Sequence, residues 1–233
     1  MTREALTVGQ TGCTVYRGTA ANCILIQPVD EHDQEGLDRE ARAISDQVGE
    51  AFLLAAFRVR RWNDDLSPWP APPVFGREAF GEGAEATLAF IRGALLPALY
   101  SRYGVGPDTP AILGGYSLAG FFALWAGYRT DAFAAVAAAS PSVWFPGWMD
   151  CAASRRPLAG AVYLSLGDRE EKTRNPVMAT VGACIRRQDA LLGEQGVRHV
   201  LEWNEGNHFR DPDLRCAKAF AWCVRAVAKG AGA

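Results

Sequence analysis

Short apolar runs bounded by turn residues alternate with longer stretches of helical period along almost the whole chain. The runs at 22–27, 52–59, 111–114, 134–139 and 161–166 are continuous rather than alternating, the pattern of strands buried on both faces. Residues 7–17 predict one or two short strands before them, and 199–203 the last strand. Residues 33–48 are charged and periodic and predict an exposed amphipathic helix. Residues 84–103 predict a helix kinked at Pro97, 177–194 another, and 211–229 a closing helix with Asp211 or Asp213 as its cap. Residues 60–83, rich in proline and tryptophan, read as a long loop. This alternation predicts an α/β fold, a mostly parallel sheet with helices on both faces. No repeat, low-complexity tract or linker breaks it, so residues 1–233 are expected to form a single domain.

Composition narrows the function. An apolar share of 49% in 233 residues supports a substantial core. A formal net charge of −2 argues against nucleic acid as the main partner. No apolar run is long enough to span a bilayer, and Met1-Thr2-Arg3-Glu4-Ala5 leads into no signal-peptide core, so the expectation is a cytoplasmic protein with no membrane partner. Cys13, Cys23, Cys151, Cys184, Cys216 and Cys223 lack metal-ligand spacing and read as free thiols; no metal site is expected.

The most informative segment is Gly115-Tyr116-Ser117-Leu118-Ala119-Gly120. It follows the strand ending Ala111-Ile112-Leu113-Gly114 and precedes the helical run Phe121-Phe122-Ala123-Leu124-Trp125. A serine among small residues at a strand-to-helix junction is the signature of a nucleophile elbow. The tight turn lifts the hydroxyl out of the sheet, and the following helix aims its first N–H groups at a developing oxyanion. The pattern is G-x-S-x-A, one methyl away from the usual G-x-S-x-G.

A serine needs a base. Of three histidines, His32 lies in an acidic loop and His199 begins the last strand. His208, in Glu205-Gly206-Asn207-His208-Phe209, follows the last strand, where a parallel sheet presents its base. The acid should follow the preceding strand, in Gly167-Asp168-Arg169-Glu170-Glu171. The G-x-x-acid turn selects Glu170, with Asp168 as the alternative and Glu171 facing solvent. The order Ser117, Glu170, His208 is the Ser–acid–His order of α/β-hydrolases. Leu118 N–H supplies one oxyanion donor by position. The second is expected in the turn Pro28-Val29-Asp30, where proline has no N–H, so Val29 or Asp30 must donate, with Val29 first. Trp144, in Ser140-Pro141-Ser142-Val143-Trp144-Phe145, is expected to wall the substrate pocket, with Trp62, Trp69 and Phe75 opposite or, equally, covering the sheet edge.

Gly-Tyr-Ser-Leu-Ala-Gly, Ser-Pro-Ser-Val-Trp and Gly-Asn-His-Phe, in this order, resemble the Putative esterase family of α/β-hydrolases, which includes esterase D-like enzymes, feruloyl esterases and enterobactin-type siderophore esterases. The resemblance spans roughly residue 22 to the C-terminus. It implies the α/β-hydrolase fold and cofactor-free ester hydrolysis, with the nucleophile on Ser117, the base on His208 and the acid on Glu170. The chain departs from the family at Ala119 and in lacking a His-Gly pair in the turn after residue 27. The leading expectation is a serine esterase acting on a small-molecule ester through an acyl-enzyme. Acyl transfer from the same intermediate and a non-catalytic ligand-binding role are the alternatives.

Overall fold

The computed structural model describes residues 1–74 and 76–230. Its strands are β1 (Thr2–Val8), β2 (Thr11–Arg17), β3 (Ile24–Val29), β4 (Leu53–Arg58), β5 (Ala111–Tyr116), β6 (Ala135–Ala139), β7 (Ala161–Gly167) and β8 (Arg198–Asn204). All eight lie in one sheet, in the order β1-β2-β4-β3-β5-β6-β7-β8. β1 and β2 pair antiparallel at one edge, β2 pairs antiparallel with β4, and every other pairing is parallel. β3, β5, β6 and β7 are buried along their whole length, which explains their unbroken apolar sequences. The chain runs outward from β3 to β4 and then returns past β3 to β5. A crevice opens at such a switch point, beyond the carboxyl ends of the strands.

Helices cover both faces. On one face α1 (Glu31–Val48) and α8 (Pro212–Gly230) pack together, burying Leu37, Ala41, Ile44, Ala217 and Phe220. On the other lie α3 (Ala84–Phe90), α4 (Leu96–Tyr103), α5 (Ser117–Gly127), α6 (Trp148–Ala153) and α7 (Val181–Glu194). α1 starts at a capping box in which the Asp30 side chain accepts from Asp33 N–H and the Asp33 side chain accepts from Asp30 N–H.

Three expectations need correction. The N-terminal strands begin earlier than residue 7: of the one or two short strands expected there, two form, and the first runs from Thr2 to Val8 as one arm of a hairpin. The helix over 84–103 is interrupted before Pro97 rather than at it. A π-helical turn, Ile91–Leu95, separates α3 from α4, and Pro97 sits in the first turn of α4, where its missing N–H is least costly. The loop at 60–83 contains the short α2 (Trp62–Asp65) and a bridge between Ala71 and Phe80. Among the described residues no helix is long and apolar enough to cross a membrane.

Candidate active site

Ser117 is the first residue of α5, directly after β5, and holds φ at +56°. A non-glycine residue in this region is strained, and the surrounding packing must hold it there. The close approach of strand and helix leaves no space at Gly115, where a Cβ would lie 2.7 Å from the Ala119 Cβ. Glycine at 115 therefore provides the room in which Ala119 stands in place of the usual glycine. The N-terminus of α5 carries no side-chain cap, so the N–H groups of its first turn, Leu118 among them, are not claimed by a capping side chain.

The turn after β7 and the loop after β8 converge on this hydroxyl. His208 Nε2 lies 3.0 Å from Ser117 Oγ, and His208 Nδ1 lies 2.6 Å from Glu170 Oε2. An ionised carboxylate only accepts, so Nδ1 carries the proton and Nε2 is the acceptor for the serine hydroxyl. Ser142 Oγ is 3.4 Å from Ser117 Oγ, too long to compete with the imidazole. The Tyr116 phenol donates to the His208 carbonyl at 2.7 Å, and its ring packs against the imidazole with centroids 5.0 Å apart. Burial first, and then the negative charge of Glu170, push the Tyr116 phenol up, which keeps it a donor.

Glu170 is buried, its side chain 3% exposed. Its second oxygen, Oε1, accepts from Gly167 N–H at 2.7 Å, from Ser140 Oγ at 2.8 Å and from Arg215 Nη1 at 2.8 Å. Burial alone would raise this carboxyl. The hydrogen bond and charge of His208, with the Gly167 and Ser140 donors, outweigh it and hold the carboxyl below the ordinary value. Gly167 is required here, since a Cβ would clash with the Gly206 carbonyl oxygen. Asp168 does not reach the imidazole; its Oδ1 accepts from Gly206 N–H at 2.8 Å and ties the two turns together.

Beside these groups lies a cavity of about 400 Å³ lined by Ser117, Ser142, Trp144, Thr173, Met178, Val181, His208 and Phe209, together with Ser140 and Glu170. Most of this lining is apolar, and among the described residues no lysine or arginine contributes to it. Phe209 is 84% exposed at its mouth. A larger cleft of about 720 Å³, at the ends of β3 and β4, is lined by charged side chains including Arg58, Arg60 and Glu31 and does not include the serine.

The structure thus brings Ser117, His208, Glu170 and Trp144 around one cavity. Other sequence-selected residues lie elsewhere. Val29 is not in a turn, because β3 continues through Pro28 to Val29. On the β5 side the ladder ends at Ile26–Leu113, so proline's missing N–H leaves no partner unmet there. The Val29 carbonyl accepts from Val59 N–H, and in that register the Val29 N–H faces the Phe57 carbonyl, inside the ladder rather than the cavity. Trp69 does not line the cavity. Its Nε1 donates to the Pro146 carbonyl at 2.8 Å and its ring meets Phe145 edge-on. Trp62 lines the charged cleft instead. Phe75 lies outside the described residues. The sequence pattern did not single out Met178, Val181, Thr173 and Phe209 as lining, nor Arg215 as a partner of the acid. The one available signal for Arg215 was a charged residue beside Cys216-Ala217 in an otherwise apolar stripe of the last helix. Among the described residues no group of three or more His, Cys, Asp or Glu is placed to hold a metal ion.

A model of the family described as Putative esterase matches residues 53–210, more than half of the chain. No curated protein matches the sequence. Among solved structures the chain is similar to an IroE-like serine hydrolase from Shewanella oneidensis, with a TM-score of 0.76 and 14% identity over 95% of this chain and 79% of that one. It is also similar to the siderophore hydrolase EstB from Aspergillus nidulans (TM-score 0.71, 18% identity, 94% of this chain and 93% of that one). A third is the enterobactin esterase FES from Shigella flexneri (TM-score 0.67, 12% identity, 97% of this chain and 59% of that one). At these identities the likeness is one of fold.

Proposed function

The chain belongs to the Putative esterase family, and from that premise we propose that it hydrolyses a small carboxylic ester through an acyl-enzyme formed on Ser117. The observation that carries this reading is the position of His208, within hydrogen-bond reach of Ser117 Oγ on one nitrogen and of Glu170 on the other. In the first step Ser117 Oγ attacks the ester carbonyl carbon while its proton passes to His208 Nε2. Glu170 Oε2 holds the Nδ1 proton and stabilises the imidazolium. The negative oxygen of the tetrahedral intermediate is assigned to the N–H groups at the uncapped start of α5, Leu118 first. Collapse expels the alcohol, which takes the proton from His208. Water then attacks the acyl-serine, giving its proton to His208, and collapse of the second intermediate releases the acid and returns the proton to Ser117.

The apolar lining and the absence of lysine or arginine from it favour an ester whose group next to the serine is uncharged, alkyl or aryl. Siderophore hydrolysis by EstB and enterobactin ester cleavage by FES are properties of those proteins; a cavity of about 400 Å³ suits a smaller ester. The test is turnover of an uncharged activated aryl ester by the protein and by Ser117→Ala. Loss of turnover in a folded variant supports the reading. Unchanged turnover overturns it.

A further inference from the structure

The geometry points to Arg215 as a positioning residue that locks the acid and the base loop together and offsets the acid's charge, so setting the proton affinity of His208; this rests on the triad reading above. Arg215 lies in the first turns of α8 and is as buried as its partner, both side chains being 3% exposed. Nη1 donates to Glu170 Oε1 at 2.8 Å, Tyr116 OH at 3.0 Å and Ser140 Oγ at 3.2 Å. Nη2 donates to the Glu205 and Asn207 carbonyls at 3.1 and 3.0 Å. One planar cation therefore ties together the end of β5, the end of β6, the acid turn after β7 and the histidine loop after β8. A lysine ammonium could supply the charge but not this fork.

The arrangement divides the carboxylate. Oε1 faces Arg215, leaving Oε2 to His208. Because the Asn207 carbonyl is fixed by the same guanidinium, the residue before His208 cannot shift without breaking a partly buried, charge-assisted hydrogen bond. The charge acts as well. A carboxylate with no counter-ion would bind a proton on its histidine partner more tightly, so the base would stay protonated to higher pH. Other charged and titratable groups near the pair include the Tyr116 phenol, the Cys216 thiol beside it, Asp168 on the Gly206 N–H, and Arg210 with its partners Glu205 and Asp211 on the exposed side of the loop.

Arg215→Met removes both charge and fork, and Arg215→Lys keeps the charge. The readouts are the kcat/KM–pH profile on an aryl ester and the imidazole titration of His208 by NMR, assigned against His208→Gln. The NMR readout needs no turnover, so a failure of the esterase reading and a failure of this one are separable. Expected for Arg215→Met are a fall in kcat of about 10²-fold and an upward move of about one pH unit in the His208 titration and in the acid limb. Arg215→Lys should lose kcat while its titration stays at the wild-type position. If the methionine variant does not fold, the lysine variant decides: a loss of kcat with an unmoved titration supports the proposal, and unchanged kcat overturns it. An unmoved titration in folded Arg215→Met would also overturn it, reducing Arg215 to packing.

Discussion

Glu170 Oε2 lies 2.6 Å from His208 Nδ1, whereas the neighbouring carboxylate of Asp168 is occupied 2.8 Å from the Gly206 N–H. The two acids of one turn thus hold different jobs. Glu170→Gln should keep the fold and lower kcat by about 10⁴-fold, because an amide can present a donor to Nδ1 and favour the wrong tautomer. Asp168→Asn should cost at most about tenfold, since an amide oxygen still accepts from Gly206. Steady-state kinetics of the two variants on one ester checks the assignment, and a reversed order would move the acid to Asp168.

Acid should act on stability through Glu170. Its carboxyl is held below the ordinary 4.5 in the folded protein, so the unfolded chain binds the proton more tightly. The resulting stability is fully present above the unfolded value and is lost as pH falls through the folded one. Protonation would also leave Arg215 buried without a counter-ion. The stability difference between the wild type and Glu170→Gln, measured by urea unfolding, should therefore shrink as pH falls below the ordinary value of 4.5.

Glu40 should behave in the opposite sense. It is buried between α1 and the sheet, with Gln27 Nε2 at 3.3 Å from Oε2 and, among the described residues, no hydrogen-bond partner for its Oε1 or for Gln27 Oε1. Burial drives its carboxyl well up, so its contribution is complete below the unfolded value and is lost as pH rises. Glu40→Gln removes the ionisable group and supplies a donor for Gln27 Oε1. Its Tm should exceed that of the wild type at pH 7 by at least about 2 °C, and the gap should close towards pH 4. A lower Tm for the variant at pH 7 would contradict this.

The elbow should be intolerant at Gly115. A methyl group there meets the Ala119 Cβ at 2.7 Å and the Ala119 carbonyl carbon at 3.0 Å. Gly115→Ala should cost about 1–3 kcal/mol and lower activity by displacing Ser117. Adding Ala119→Gly should restore part of both. Chemical denaturation of the single and double variants measures the coupling; simple additivity would show that the two positions do not press on one another.

Ser117 and His208 were legible in the sequence because each directly follows an apolar run, and in a parallel sheet the ends of those runs share one edge. The two acids were not separable that way, because the choice depends on Gly206, thirty-eight residues from Asp168. Turn chemistry misplaced Val29, since Pro28 reads as a strand end unless the neighbouring ladder is known to stop at Ile26. The tryptophans misled for a related reason. An aromatic residue announces burial, but not whether it lines the cavity, like Trp144, or packs on Phe145 outside it, like Trp69. Arg215 was out of reach because its partners come from the ends of four strands and gather only on folding.

The most direct test of the serine–histidine–acid relay is mass-spectrometric mapping of the adduct formed with an uncharged alkyl fluorophosphonate, read together with residual esterase turnover. The expected result is one phosphonyl group per chain, on Ser117, with turnover lost in proportion and labelling suppressed in His208→Gln. Turnover that persists with Ser117 unmodified, or an adduct confined to another residue, would contradict it.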